Sequence, residues 1–327
     1  MKKIVFLAID NCLFSSISCL LDGFAIANER YLFEKKTRSP LFETRLVTPG
    51  GKPIKAHGGM PIFPDMSSAE LSTLPECDYL IVPAFLPVDE PFLTGLTQLA
   101  PMIREQYSKG AKLGAVCSGV FILAESGLLN GKAATTNWHY ARYFMRRYPD
   151  VNLKPDRMLV SESGLITAGA ATAVFNLGMH IIEKEGGSSL ANHWSKSLLV
   201  DPTRESQTPY MIFETFKDHG DKEIAKAQMW MEANFAEPFR VDDVANRMGM
   251  SPRHFKRRFK AATGETPLVY IQKVRIEEAK KRLEQSDASV GDITWKIGYE
   301  DSSTFRRLFR KHVGISPREY RDKFFIG

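Results

Sequence analysis

Residues 114–129, "GAVCSGVFILAESGLL", place a cysteine between a short apolar run and a helical pattern. Gly114 and Ala115 precede Cys117 closely, and Ser118 and Gly119 follow it. A sharp strand-to-helix turn needs small neighbours, and such a turn lifts one side chain clear of the backbone. The same position opens a helix, where the dipole favours a thiolate. Cys117 is therefore either a nucleophile or the marker of a pocket. The run that leads into it, "KLGAV", and an earlier one, "YLIVP", have the form of strands buried on both faces.

Outward from this turn, strand-like and helix-like segments alternate. Strands are predicted at 3–9, 42–48, 79–83 and 112–116, with weaker ones at 158–160 and 165–168. Helical patterns fill 17–30, 92–108, 119–126, 139–148 and 172–185. This alternation predicts an α/β domain with a mostly parallel sheet and helices on both faces. Ligands in such folds sit at the carboxyl ends of the strands, where Cys117 would lie. The glycine-rich "PGGKP" (49–53) and "HGGMP" (57–61) lead into no helix with phosphate-loop spacing and read as loops or hairpins.

The opening "MKKIVFLAID" has the charge order of a signal peptide, but its apolar run ends at Asp10, too short for one. It reads as the first buried strand. No stretch approaches the roughly 18 apolar residues of a membrane span. Four scattered cysteines (Cys12, Cys19, Cys77, Cys117) lack metal spacing and point to a reducing compartment, so the location expected is cytoplasmic. The seven histidines form no ligand cluster, and neither metal nor cofactor is expected. Trp138, Trp194 and Trp230 read as core or interface.

Charge is unevenly placed. The whole chain carries a net charge of +6, and the whole excess lies in residues 220–327, with 22 basic and 16 acidic residues. A basic terminal domain on a neutral body suggests a polyanion partner. The same region repeats itself. At an offset of 50, Phe255, Arg257, Phe259, Gly264, Pro267 and Tyr270 match Phe305, Arg307, Phe309, Gly314, Pro317 and Tyr320. Upstream, Val241, Val244, Met248 and Gly249 match Val290, Ile293, Ile297 and Gly298 at offset 49. Each copy reads as helix, glycine turn, helix. Ser251 with Pro252 is a helix start, and "SPRE" (316–319) has the capping-box form. The second helix of each pair exposes Arg253, Lys256 and Arg257, or Ser303, Thr304, Arg306 and Arg307, residue types that suit base edges and phosphates. Between the copies, "PLVYIQKVRIEEAKKRLEQ" spaces Leu268, Ile271, Ile276, Ala279 and Leu283 helically, with Glu277/Lys281 and Glu278/Arg282 as favourable pairs. A rod of roughly 27 Å results, near the ~34 Å between successive major-groove faces.

The segments "VDDVANRMGMSPRHFKRRFKAATGETP" and "ITWKIGYEDSSTFRRLFRKHVGISPREYRDKF" resemble the two helix-turn-helix units of an AraC/XylS-type regulator. Thr294 stands where that family usually has a small alanine. "VCSGVFILAESGLLNGKAATTNWHYARYFMRRYPDV" and "LITAGAATAVFNLGMHIIE" resemble the PfpI-like domain of GlxA-type regulators, in the class I glutamine amidotransferase-like fold. The resemblance implies three regions: a PfpI-like sensing and dimerising domain over 1–205, a linker over 206–221, and an AraC-type DNA-binding domain over 222–327. It implies double-stranded DNA as partner, a small-molecule effector, a homodimer and RNA polymerase as a further partner. Active members of the superfamily pair the elbow cysteine with an acid and often a histidine. Here Ser16 takes the acid's place and Asn137 the histidine's, and "VPAFLP" replaces a Gly-Gly turn with Ala84 and Phe85. The expectation is therefore a transcription regulator with a catalytically degenerate domain, whose ligand would meet Ser16, Cys117, Ser118, Asn137 and His139. The competing reading is an active cysteine-dependent amidase or glyoxalase-like enzyme that carries a DNA-binding domain.

Overall fold

The apolar runs become strands because each is too short for a helix and rich in branched residues. The computed structural model describes residues 1–73, 77–215 and 217–326. Eleven strands occur among these residues: β1 (Lys2–Leu7), β2 (Phe42–Thr48), β3 (Ile54–Lys55), β4 (Pro61–Ile62), β5 (Met66–Ser67), β6 (Tyr79–Val82), β7 (Lys112–Val116), β8 (Ala133–Ala134), β9 (Asn152–Leu153), β10 (Leu159–Glu162) and β11 (Leu165–Ala168). Seven form one sheet in the order β10-β11-β7-β6-β1-β2-β5. Every neighbouring pair is parallel except the β10–β11 hairpin. The sheet grows first through β2 to β5 on one side of β1, then through β6 and β7 on the other. β1 and β6 therefore flank a switch point, where α/β folds open a crevice at the strand ends. The "HGGMP" segment lies in the β3–β4 hairpin, as its glycines suggest.

Eight helices accompany these strands in the first of two compact units, Met1–Gln207. They are α1 (Ser15–Lys35), α2 (Ser68–Thr73), α3 (Glu90–Leu96), α4 (Ala100–Ser108), α5 (Gly119–Glu125), α6 (Ala141–Arg147), α7 (Val174–Gly186) and α8 (Ser188–Ser197). The single helix predicted over 92–108 is two helices joined by a 3-10 turn at Thr97–Leu99. Pro101 lacks the N–H that would continue the ladder, so the helix restarts there. α8 was not predicted. It follows Gly187, whose φ of 88° ends α7, and it buries Trp194. The Trp194 indole donates to the Gly23 carbonyl of α1 at 2.8 Å, binding α8 to α1.

The second unit, Thr208–Gly327, is helical: α9 (Lys222–Ala233), α10 (Val241–Arg247), α11 (Pro252–Thr263), α12 (Pro267–Gln285), α13 (Val290–Lys296), α14 (Ser302–Val313) and α15 (Pro317–Phe324). Ser251 caps α11, and the Ser316/Glu319 capping box starts α15. There are two cores. Val244, Ala245, Phe255 and Phe259 pack with Tyr270 and Ile271 in one; Ile293, Ile297, Phe305 and Phe309 pack with Ile276, Ala279 and Leu283 in the other. α12 thus lends one end to each repeat. Two details differ from expectation. Leu268 is 56% exposed, because Tyr270 and Ile271 take the core side of that turn. Glu277 pairs with Lys280 at 3.0 Å rather than with Lys281, because Lys280 is buried and needs a counter-charge. Glu278–Arg282 forms as predicted, at 2.9 Å. Thr294 is buried and satisfies its hydroxyl on the Val290 carbonyl at 2.7 Å. Several described residues of the 206–221 segment are packed. Gln207 is buried in the first unit, and in the second the Phe213 ring packs edge-on against Tyr270 while the Met211 carbonyl accepts from Lys280.

Candidate functional site

In the α/β unit, the turn after β7 is built as the small residues require. Cys117 has a φ of 54°, a left-handed conformation that costs a non-glycine residue free energy. Its N–H donates to Ala168 O at 2.7 Å, and its carbonyl accepts from the Thr136 hydroxyl at 2.8 Å. A Cβ on Gly119 would lie 2.5 Å from the Pro83 carbonyl oxygen, so only glycine lets α5 start this close to β6. The elbow is thus over-determined by its surroundings.

The setting of the thiol disfavours its ionised form. Cys117 is 6% exposed, and burial pushes its pKa up to about 11. Hydrogen bonds from Ser118 and Asn137 oppose that rise and do not cancel it. Burial thus disfavours the thiolate that a nucleophile needs. Ser16, in the acid's place, is fully buried; its hydroxyl donates to Leu13 O at 2.6 Å and accepts from Ala84 N–H at 3.1 Å. Ser118 reaches Phe85 in the same way, donating to its carbonyl and accepting from its N–H, both at 2.7 Å. These two serines tie the loop after β6 to α1 and to the elbow. That explains why Ala84 and Phe85 can replace a Gly-Gly turn: the loop is held by side chains.

Asn137 caps the turn Trp138–Tyr140, its oxygen accepting from His139 N–H at 2.9 Å. His139 is exposed, with its ring edge-on to Trp138 and Tyr140. The fold therefore gathers Ser16, Cys117, Ser118 and Asn137 at the carboxyl ends of β1, β6 and β7, with His139 at the rim. Sequence reasoning missed Tyr140, whose hydroxyl is pushed up by burial and by Cys117 nearby. Beside this cluster a cleft of about 440 Å³ opens at the ends of β1 and β2, lined by Asp10, Lys52, Ile54 and Phe92 among others. The Phe92 ring lies 5.2 Å from that of Phe85, linking cleft to elbow. No group of His, Cys, Asp and Glu among the described residues is arranged to hold a metal ion. No helix among them is long and apolar enough to cross a membrane.

In the helical unit, α11 and α14 present the expected faces. Arg253, Lys256 and Arg257 are exposed opposite buried Phe255 and Phe259; Ser303, Arg306 and Arg307 are exposed opposite Phe305 and Phe309. Lys256 sits 2.8 Å from Asp242 on a half-exposed rim, a pair worth little in water. Thr304 is half-buried and bonded to Asp301, the cap of α14. Arg258 differs from its neighbours: it binds Asp221 through two hydrogen bonds, at 2.6 and 2.9 Å, and so fastens α11 to α9. One helix thus carries both a structural arginine and outward-facing ones.

Comparison with known proteins agrees with both halves. Residues 33–184 match the DJ-1/PfpI family, and residues 244–323 match a helix-turn-helix domain family. The chain is 28% identical over 240 residues to the HTH-type transcriptional regulator ArgR of Pseudomonas aeruginosa, covering 73% of each chain. It is 25% identical over 286 residues to the HTH-type transcriptional regulator GlxA of Rhizobium meliloti, covering 86% of each. A crystal structure of an AraC family transcriptional regulator from Pseudomonas putida superposes with a TM-score of 0.51 at 18% identity, over 61% of this chain and 100% of that one. That last likeness bears on the fold of the α/β unit. A DJ-1/PfpI-type α/β domain and an AraC-type pair of helix-turn-helix units on one chain make this protein an AraC-type transcription regulator with a DJ-1/PfpI-like domain.

Proposed function

We propose that the α/β domain is a non-catalytic sensor that binds a small-molecule effector at the carboxyl edge of its sheet and joins two chains as a homodimer. The observation that supports the absence of turnover is the setting of Cys117: the thiol is buried, which pushes its pKa up, and Ser16 and Asn137 stand where an acid and a histidine would be. A thiol nucleophile needs a base or a lowered pKa. The effector would occupy the cleft at Asp10, Lys52 and Phe92; Ser16, Cys117, Ser118, Asn137 and His139 do not line it, and it would act on them through Phe92 and Phe85. A volume of about 440 Å³ is the size of a small-ligand site.

In the helical domain, Arg253, Lys256, Arg257, Ser303, Thr304, Arg306 and Arg307 would contact DNA in two neighbouring major-groove segments. The support is that each copy of the repeat puts a basic face outward over its own core. This reading extends to a cytoplasmic location and to RNA polymerase as the machinery acted on. A thermal-shift screen of small metabolites tests the sensing half, since a ligand that binds only the folded state raises stability by mass action. Hits should shift the α/β transition and alter DNA affinity in mobility-shift assays. A screen in which every stabilising compound leaves DNA affinity unchanged would refute effector control.

A further inference from the structure

The last residue of the α/β unit, Gln207, is a buried side chain that the DNA-binding faces and the Cys117 site leave without a role. It is 1% exposed. Its N–H donates to Asp156 O at 2.7 Å. Its carboxamide nitrogen lies 2.8 Å from Arg157 O, 2.9 Å from Thr136 O and 3.2 Å from the Thr135 hydroxyl. Its carboxamide oxygen accepts from Trp138 N–H at 3.2 Å. A Cβ on Gly169 would fall 2.1 Å from that nitrogen, so a glycine there is what leaves room for the amide. The groups it holds, at 135, 136 and 138, bracket Asn137. Thr136 in turn holds the Cys117 carbonyl, and Asn137 bonds the thiol. One step further along the chain, Thr208 begins the helical unit.

We propose that Gln207 is a latch that couples the Cys117 site to the DNA-binding unit. The coupling needs no contact between the units, because it runs through the covalent chain. A ligand that shifts the 135–138 loop must move the partners of Gln207. Displacement of residue 208 must pull the carboxamide from its niche. Withdrawn, the amide would leave the Trp138 N–H and the Thr136 and Arg157 carbonyls without it. Buried polar groups tolerate that poorly, which favours two discrete states over a continuum. Coupling between sites is reciprocal, so DNA on the helical unit must be felt at Cys117. The proposal deepens the sensing role given above and rests on it, but its test requires no effector.

The full-length protein is treated with iodoacetamide in mildly alkaline buffer, with and without a mixed-sequence DNA duplex at low ionic strength. Labelling of Cys117 is read by peptide mass mapping, with half-buried Cys19 in the same digest as reference. The wild-type Cys117 rate should change by at least about fivefold on DNA saturation, the lower end of ordinary allosteric coupling. Gln207→Ala should label Cys117 faster without DNA and lose the response. A short Gly-Ser insertion between Gln207 and Thr208 leaves the niche intact. It should keep the wild-type basal rate and also lose the response, which a merely structural glutamine would not produce. The insertion decides the matter should Gln207→Ala fail to fold. An unchanged wild-type rate on DNA that is demonstrably bound, or a full response in the insertion variant, would overturn the latch. Either result leaves the sensing reading to stand or fall on its ligand screen.

Discussion

Cys117 shows how one position carries two opposite signals. Its neighbours and its backbone conformation are those of a nucleophile elbow, while its burial raises the thiol to about 11. The proposed non-catalytic role follows the second. Cys117→Ser should therefore leave basal DNA binding intact and abolish no hydrolysis, because the purified protein should show none on amide or glyoxal-type substrates. Multiple turnovers that vanish in the variant would restore the enzyme reading. Ser is close in size, so volume alone predicts little loss of stability. Gly119→Ala makes the contrasting case. The new methyl would meet the Pro83 and Val82 carbonyls, at 2.5 and 2.7 Å, and backbone cannot rotate away as a side chain can. Overpacking of this kind should cost about 2–3 kcal/mol in the thermal unfolding of the α/β unit, while the helical unit keeps its affinity for DNA. The composition of the elbow was legible because turn chemistry is local. Gln207 was not, because its side-chain partners lie 50 to 72 residues away in sequence and nothing local marks it as buried.

Among the elements, boundaries that depend on caps were readable to the residue: Pro252, Pro267 and Pro317 open α11, α12 and α15 where Ser or Thr precedes them. Boundaries set by packing were not, as α8 and the division of 92–108 show. The exposed basic residues of α11 and α14 were legible from spacing, yet the distinct role of Arg258 required the structure, since only the fold brings Asp221 to it. Arg257→Ala and Arg307→Ala should each cost roughly 1–3 kcal/mol of DNA binding and relax specificity in one half of the footprint only. Wild-type affinity in both would remove these helices from the interface. Arg258→Ala should instead lower the melting temperature of the helical unit. The Arg258 pair holds Asp221 below its ordinary carboxylate range. A carboxylate depressed in the folded state contributes stability that is present above its unfolded value, near 3.9. That contribution is lost as pH falls through the lower folded value. Acid unfolding of Asp221→Asn, followed by circular dichroism below about pH 4, should lack this part of the wild-type slope.

For the whole molecule, the two-unit plan was legible from charge and repeat, because a basic, strand-free third contrasts with a neutral, alternating body. The junction was not, because "RESQTPYM" looks like linker while Gln207 and Pro209 within it are buried. A fragment that begins at 208 should therefore fold more stably than one that begins at 222, since it keeps Met211 and Phe213 against α12. Its DNA affinity should fall linearly with salt on logarithmic axes, through release of phosphate counterions; a flat response would sever the +6 excess from DNA binding. Finally, α12 fixes more than stability. Because its two ends are cemented into different cores, its 19 residues act as a calliper of about 28 Å whose jaws are α11 and α14. The jaws cannot be reset by bending. One residue added within α12 would turn the second jaw by about 100° relative to the first. If α11 and α14 read DNA as proposed, the distance and phase between the two sequences are written into the helix between the jaws, and sites with a longer or shorter spacer should be bound poorly by a single chain however good each half is alone.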